Sequence, residues 1–255
     1  MKITRAVVPS LFTVLNIFCG FLSLIHTTRG DYPMASWFII LAAIFDVLDG
    51  LMARITKSSS DFGVEFDSLS DIVSFGVAPS FLIYHIHPYA QSGFGILLSS
   101  MPMVFGALRL ARFNANLVGY DKEFFNGLPI PASAVTIGTF VISLSLEGTG
   151  LSNLGASLLA PMVVVLSLLM VSTLKYDTAP KFTRRDIQQH PVRFTITIVC
   201  FTAIVVTEGQ ALFPIFVLYI FSGPLRYGIK FLHHLIHPGS KDLEEKDTEV
   251  SSVDV

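Results

Sequence analysis

The polar and apolar positions of this 255-residue chain fall into long blocks. Runs of about 20 mostly apolar residues, the length that crosses a bilayer as a helix, cover 7–26, 35–54, 71–88, 94–112, 129–147 and 153–174. Two shorter runs, 194–207 and 209–223, nearly fuse at Thr207-Glu208-Gly209 and predict a tight helical hairpin. Pro129 and Pro131 sit where a helix starts, because a proline in the first turn forfeits no hydrogen bond. The pattern predicts an all-α polytopic transmembrane helix bundle of about eight spans over 1–240, then an acidic, disordered tail over 241–255. It leaves no room for a second domain and shows no internal repeat.

Lys2 and Arg5 precede the apolar run Ala6 to Ile25, an arrangement that secretory signals share. This run is longer than a signal's apolar core, and His26-Thr27-Thr28-Arg29 offers no small-residue cleavage site. It is expected to be the first spanning helix.

Composition agrees with the blocks. Hydrophobic residues make up 52% and charged residues only 14%, against about a quarter charged in a soluble domain, and the mean hydropathy is +0.64. A soluble globular chain and a disordered one are both excluded. The formal charge of -2 is concentrated at one end, since 241–255 holds six acids against two lysines. No strongly basic surface remains, so nucleic acid is not an expected partner. Cys19 and Cys200 lie in apolar runs and read as small packing residues.

With eight spans and a cytosolic N-terminus, sixteen of the 17 Lys and Arg fall in cytosolic segments and only Arg29 falls outside. By the positive-inside rule both termini and the loops near 55–70, 113–128 and 175–193 are expected to be cytosolic.

Against this background the stretch DVLDGLMARITKSSSDFGVEFDSLSD, from Asp46 to Asp71, is anomalous. Asp46 lies eight residues before Arg54, about 12 Å deeper at 1.5 Å per residue, and an intramembrane carboxylate marks a site or an ion path. Asp46 and Asp49 share one helix face at i, i+3, and Asp67 and Asp71 share another at i, i+4. The intervening loop returns the chain, so the two helices are antiparallel neighbours and four carboxylates converge near the cytosolic surface. Clustered oxygen ligands suit a hard divalent cation, Mg2+ or Mn2+. Gly50 removes a side chain beside the carboxylates, Arg54 brings a phosphate-compatible guanidinium, and Gly63 opens the start of the third helix. The plainer alternative, polar residues at helix ends facing water, suits Asp61 and Glu65 but not residues two turns inside the helix.

The segment Asp46-x2-Asp49-Gly50-x2-Ala53-Arg54-x8-Gly63-x3-Asp67-x3-Asp71 resembles, at all eight fixed positions, the signature of the CDP-alcohol phosphatidyltransferases. The resemblance implies a helical membrane enzyme, typically a homodimer, whose four aspartates hold two metal ions on the cytosolic side. Such an enzyme displaces CMP from a CDP-linked lipid with an alcohol. It further implies that Asp71 is also the catalytic base and that Gly50, Arg54, Ser60 and Gly63 meet the CDP moiety, with Asn16 reaching it from the first helix. The flanks PSLFTVLNIFCGF, SSSDFGVEFDSLSDIVSFGVAPSF, RLARFN and GLPIPASA are similar to the membrane-integral phosphatidylserine synthases, over about Pro9 to Asp186. That similarity implies CDP-diacylglycerol and L-serine as substrates and the cytoplasmic membrane of a prokaryote. Other acceptors, such as glycerol phosphate, inositol phosphate or choline, and an ether-linked lipid donor remain open on the shared signature.

Arg109 and Arg112 are i, i+3 neighbours at a cytosolic helix end, where they fit either a substrate anion or ordinary anchoring. The basic stretch 179–193 has the same two readings beside anionic lipid. His233, His234 and His237 lack the glutamate of a zinc-binding HExxH. A transporter with ion-binding aspartates is the alternative from another class, but its carboxylates would line a path or sit at the midplane rather than gather at one face.

Overall fold

The computed structural model of the chain describes residues 7–56, 60–87, 92–115, 124–146, 150–177, 202, 207 and 211–236. Seven helical rods dominate these residues. They are α1 (Val7–Thr28), α2 (Tyr32–Thr56), α3 (Asp61–Asp71) continued through a π-helical segment (Ile72–Val77) into α4 (Ala78–Ile86), then α5 (Gly93–Ala115), α6 (Ile130–Leu144), α7 (Asn153–Val171) and α8 (Leu212–Ile236). Two short antiparallel ladders accompany them. β1 (Phe124–Asn126) pairs with β4 (Lys175–Asp177), and β2 (Ser145–Leu146) with β3 (Gly150–Leu151).

Five helical stretches among the described residues are long and apolar enough to cross a membrane: Ser10–Thr28, Phe62–Ile86, Gly93–Ala115, Asn153–Val171 and Leu212–Ile229. The 25-residue α2 and the shorter α6 complete the bundle. This is a polytopic helical membrane protein. Large apolar side chains such as Leu11, Phe18, Phe21, Leu97, Val165 and Leu218 point outward, where lipid is the solvent.

Local chemistry fixes the helix ends. At the α1–α2 turn Gly30 takes φ 77°, its N–H donates to Thr27 O and the Asp31 N–H to His26 O, both at 3.0 Å. This is the Schellman arrangement, which needs the left-handed residue that glycine supplies cheaply. The Asp31 carboxylate then accepts from the Met34 N–H at 3.3 Å, capping α2. Only three residues separate the two helices, so they lie antiparallel along their length.

The core is built on α6, buried over nearly its whole length from Ile130 to Val141. Ile39 and Ala42 of α2, Phe75 and Leu82 of the third rod, and Leu159, Val163 and Leu166 of α7 pack round it. Without a hydrophobic driving force between helices in lipid, close approach through small residues carries such packing. A Cβ on Gly20 would lie 2.5 Å from Ser74 Oγ and 2.9 Å from Ser74 Cα, so α1 rests directly on the third rod.

Two sequence expectations shift here. The helix that carries the third span starts at Asp61, ahead of the apolar run that begins at 71, because the polar turns 61–70 continue the same helix. The described part of the short run 209–223 from Leu212 on is the first half of the 25-residue α8, which continues through Pro224 into a basic segment. The proposed partner run 194–207, the basic stretch 179–193 and the tail 241–255 lie outside the described residues, apart from 202 and 207. So does His237, while the backbone at His233 and His234 belongs to α8. Pro129 caps α6 and Pro131 lies in its first turn, as expected.

Candidate metal centre

Four helix ends meet at one end of the bundle: the start of α1, the end of α2, the start of α3 and the end of α5. The antiparallel path of the chain puts them there, and each brings polar groups into an otherwise apolar assembly.

Asp46, Asp49 and Asp67 each present a carboxylate oxygen, and the three oxygens lie within 4.8 Å of one another. Asp49 is only 6% exposed and Asp71 only 8%. Asp71 stands one turn deeper than Asp67 on the same helix and is close enough to feel the charges of Asp46, Asp67 and Asp49. Four carboxylates so placed repel one another unless protons or cations intervene.

α1 supplies the hydrogen bonds that orient them. Thr13 Oγ1 donates to Asp49 Oδ2 at 3.1 Å, and Asn16 Nδ2 to Asp71 Oδ1 at 3.2 Å. The same two residues hold α1 on the third rod through their backbone. Ser70 Oγ donates to Thr13 O at 3.1 Å and Ser74 Oγ to Asn16 O at 2.9 Å. Asp71 therefore lies between two hydroxyl links to the helix that positions it. The π-helical segment opens at the next residue, Ile72, and such segments recur at functional sites.

The carboxylates fit a hard cation on structural grounds. Asp67 Oδ1 is buried without a hydrogen-bond partner, as is Asn16 Oδ1. A buried oxygen left unpaired is costly, and a cation shared with Asp46 and Asp49 would satisfy the one on Asp67. These three carboxylates offer only oxygen, the donor set of Mg2+, Mn2+ or Ca2+ rather than of zinc. The cluster could hold a metal ion.

The remaining residues singled out in the sequence fall at the same end. A Cβ on Gly50 would meet nothing within 4 Å, so the space beside Asp49 is open. Arg54 is exposed near the end of α2. Ser60 is the N-cap of α3, its Oγ accepting from the Gly63 N–H at 3.1 Å, and a Cβ on Gly63 would come 3.2 Å from that oxygen. Ser60 and Gly63 thus form one structural unit.

The two arginines of α5 part company. Arg109 is buried, 8% exposed, and feels the charge of Asp71 and the phenol of Tyr219 on α8. Arg112 is exposed and donates from Nη1 to Val171 O at 3.3 Å, at the C-terminal end of α7, where a cation meets the negative end of the helix dipole. Asn114, the last residue of RLARFN, donates to Ser68 Oγ at 3.0 Å and so ties α5 to α3 beside Asp67.

Thr13, Ser70, Ser74 and Tyr219 did not stand out in the sequence. Thr13 and Asn16 form a polar i, i+3 pair in an apolar helix, which is the one pattern that could have indicated Thr13.

Comparison with known proteins agrees with this geometry. The family model described as CDP-alcohol phosphatidyltransferase matches residues 6–173, the part of the chain that holds all four aspartates. A protein of Helicobacter pylori (strain ATCC 700392 / 26695) named CDP-diacylglycerol–serine O-phosphatidyltransferase is 35% identical over 219 residues, 86% of this chain and 90% of that protein. An archaetidylserine synthase of Methanothermobacter thermautotrophicus is 40% identical over 182 residues, 69% of this chain and 72% of its own length. A Bacillus subtilis protein, also named CDP-diacylglycerol–serine O-phosphatidyltransferase, is 33% identical over 181 residues, covering 71% of this chain and 96% of that protein.

Proposed function

The chain belongs to the CDP-alcohol phosphatidyltransferase family, and on that premise we propose that it transfers a phosphatidyl group from CDP-diacylglycerol to L-serine, giving phosphatidylserine and CMP. The observation that carries this is the group of three carboxylates from α2 and α3, within 4.8 Å of one another, inside the region matched by the family. Serine as acceptor is supported by the names of the bacterial relatives, and the archaeal relative's name also specifies a serine product. An ether-linked CDP-lipid, as that archaeal name suggests, is the second reading, and it differs in the donor alone.

In this proposal Asp46, Asp49, Asp67 and Asp71 hold two divalent ions, Mg2+ or Mn2+. Ions bound there would polarise the phosphoryl oxygens and neutralise charge that develops on the entering and leaving oxygens. The protein's own groups do the rest. Asp71, one oxygen held by Asn16, accepts the proton of the serine hydroxyl as that oxygen forms its bond to the lipid-side phosphorus. The bond from that phosphorus to the oxygen of CMP breaks, and CMP leaves with the electron pair. The open space at Gly50, together with Ser60 and Gly63, receives the CDP moiety, and Arg54 and Asn16 bind it. Arg109 and Arg112 complete the set, the first beside Asp71 as a counter-charge for a substrate anion.

We further propose a homodimer in a prokaryotic cytoplasmic membrane, with the aspartates on the cytosolic side. The distribution of Lys and Arg along the chain supports that orientation.

The test is CMP release by the purified protein in detergent, with CDP-diacylglycerol, a divalent ion and a panel of acceptor alcohols. Release with L-serine, and none with glycerol phosphate, inositol phosphate or choline, is the expected result. Release with another alcohol in place of serine overturns the acceptor, and no release with any of them overturns the reaction.

A further inference from the structure

Asn114 stands in the last turn of α5, and Ser68 is the residue after Asp67 on α3. Asn114 Nδ2 donates to Ser68 Oγ at 3.0 Å, and Ser68 Oγ donates in turn to Val64 O, one helical turn back, at 3.1 Å. The hydroxyl proton is thus directed into its own helix, and the oxygen receives the amide of the neighbouring one. Asn114 Oδ1 is buried without a partner. An amide oxygen so placed is costly. A smaller residue would avoid that cost, and what the amide adds is the bond to Ser68.

The place of Ser68 on α3 gives this bond leverage. At about 100° per residue, the direction midway between Asp67 and Asp71 lies about 80° from Ser68 on one side and about 80° from Ser70 on the other. Ser70 Oγ donates to Thr13 O of α1 at 3.1 Å. The carboxylate-bearing face of α3 is therefore flanked by two hydroxyl links, one to α1 and one to α5. Rotation of α3 about its own axis would carry both hydroxyls off their partners. α5 is a firm support for the second link. A Cβ on Gly106 would collide with the Ile130 side chain of α6, and Arg112 Nη1 donates to Val171 O of α7 at 3.3 Å, so the helix that carries Asn114 is seated against two others.

We infer that Asn114 is a positioning residue of the metal centre: through Ser68 it fixes the rotation of α3, and so the direction in which Asp67 presents its carboxylate to a divalent cation. The inference rests on the proposal above that the cluster holds such an ion. Asp67 depends on this support more than its neighbours do. α1 orients Asp49 and Asp71 by direct hydrogen bonds from Thr13 and Asn16, whereas Asp67 Oδ1 is buried without a partner. The setting of Asp67 therefore follows the helix that carries it. Loss of a group that orients a metal ligand costs about 10- to 100-fold in metal affinity, and a group that acts at one remove belongs at the lower end of that range.

The test measures Mn2+ binding to the full chain in detergent, without substrates, from the electron-spin signal of the unbound ion. Asn114→Ala and Ser68→Ala are each expected to raise the Kd for Mn2+ about tenfold. The double variant binds no more weakly than either single one, because both changes remove the same link. Ser68→Thr, which keeps the hydroxyl, restores the affinity that Ser68→Ala loses. CMP release by the single variants recovers as Mn2+ is raised to saturation, which a loss of packing alone would not produce. Wild-type Mn2+ affinity in Asn114→Ala overturns the inference, as do effects of the two single changes that multiply in the double variant. Should Asn114→Ala fail to fold, Ser68→Ala decides by the same readings, with wild-type affinity again the overturning result. Absence of Mn2+ binding by the wild-type protein overturns the metal assignment itself, and is a separate result.

Discussion

Each aspartate of the centre has a different neighbourhood, and the differences make separate predictions. Asp49→Asn and Asp67→Asn remove oxygens from the group of three, and each is expected to reduce CMP release to the level seen without metal while the protein still inserts and folds. Activity of the wild-type kind at limiting Mg2+ or Mn2+ would refute the metal assignment. Asp71→Asn keeps the size of the group and one oxygen but loses the proton acceptor. If Asp71 is the base, transfer to serine falls by about 10²- to 10⁴-fold and excess metal does not restore it. A metal titration at saturating serine and CDP-diacylglycerol decides, because near-full recovery leaves Asp71 only a ligand. Asn16→Ala removes the bond to Asp71 Oδ1. Hydrogen bonds between membrane helices average about 0.6 kcal/mol and reach about 1.7, so a small drop in thermal midpoint should accompany its larger loss of turnover.

At the scale of helices the decisive contacts are backbone approaches and hydroxyls. Gly20→Leu would drive α1 away from Ser74, and overpacking of this kind costs about 1–3 kcal/mol. The shift would also strain the Thr13 and Asn16 bonds to Asp49 and Asp71, so stability and activity should fall together. Gly50→Ala meets open space. It should leave the thermal midpoint in place and raise the KM for the CDP-lipid, and equal effects of the two changes on stability would contradict this placement. The helices most legible in the sequence were those with a long apolar run, namely α1, α2, α5, α6 and α7. The apolar run alone starts the third span at 71, because the turns with Asp61, Glu65, Asp67, Ser68 and Ser70 lower the hydropathy of any window, and only the spacing of Gly63, Asp67 and Asp71 extends that helix back toward its observed start at Asp61. The second half of α8 was hidden by Pro224 and the basic residues after it. The four aspartates were legible because a carboxylate in an apolar run is conspicuous and its spacing fixes its face. Thr13, Ser70 and Ser74 were not, because a hydroxyl stands out only when the neighbouring helix is known.

For the molecule as a whole, the cluster joins the consecutive rods α2 and α3, with α1 hydrogen-bonded to it, so an ion held there would also act on stability. Four carboxylates held together oppose folding when nothing offsets their charge. A ligand at about 100 times its Kd stabilises the folded state by about 2.7 kcal/mol. Chelation should accordingly lower the thermal midpoint of the wild-type protein, and added Mg2+ or Mn2+ should raise it. Asp67→Asn should show little of this response. A midpoint indifferent to metal in the wild type would argue against any ion at the cluster. The same integration reaches α8, which is outside the family match yet is tied by Tyr176 to the end of the bundle where the aspartates lie.

The π-helical segment after Asp71 has a consequence for phase. A π turn amounts to one extra residue in an α-helix, and one residue corresponds to about 100° of rotation. On the near side of the segment Ser70 faces α1, with Ser74 inside the segment doing the same. On the far side Ser80 Oγ accepts from the Met103 N–H at 3.0 Å, next to Pro102 in α5. A regular helix through the same residues would turn Ser80 from α5 whenever Ser70 and Asp71 met α1. The wide turn lets a single rod face one neighbour with its aspartate-bearing half and another with its structural half. Removing one residue between 72 and 77 would leave the composition almost untouched and still set these two halves against each other.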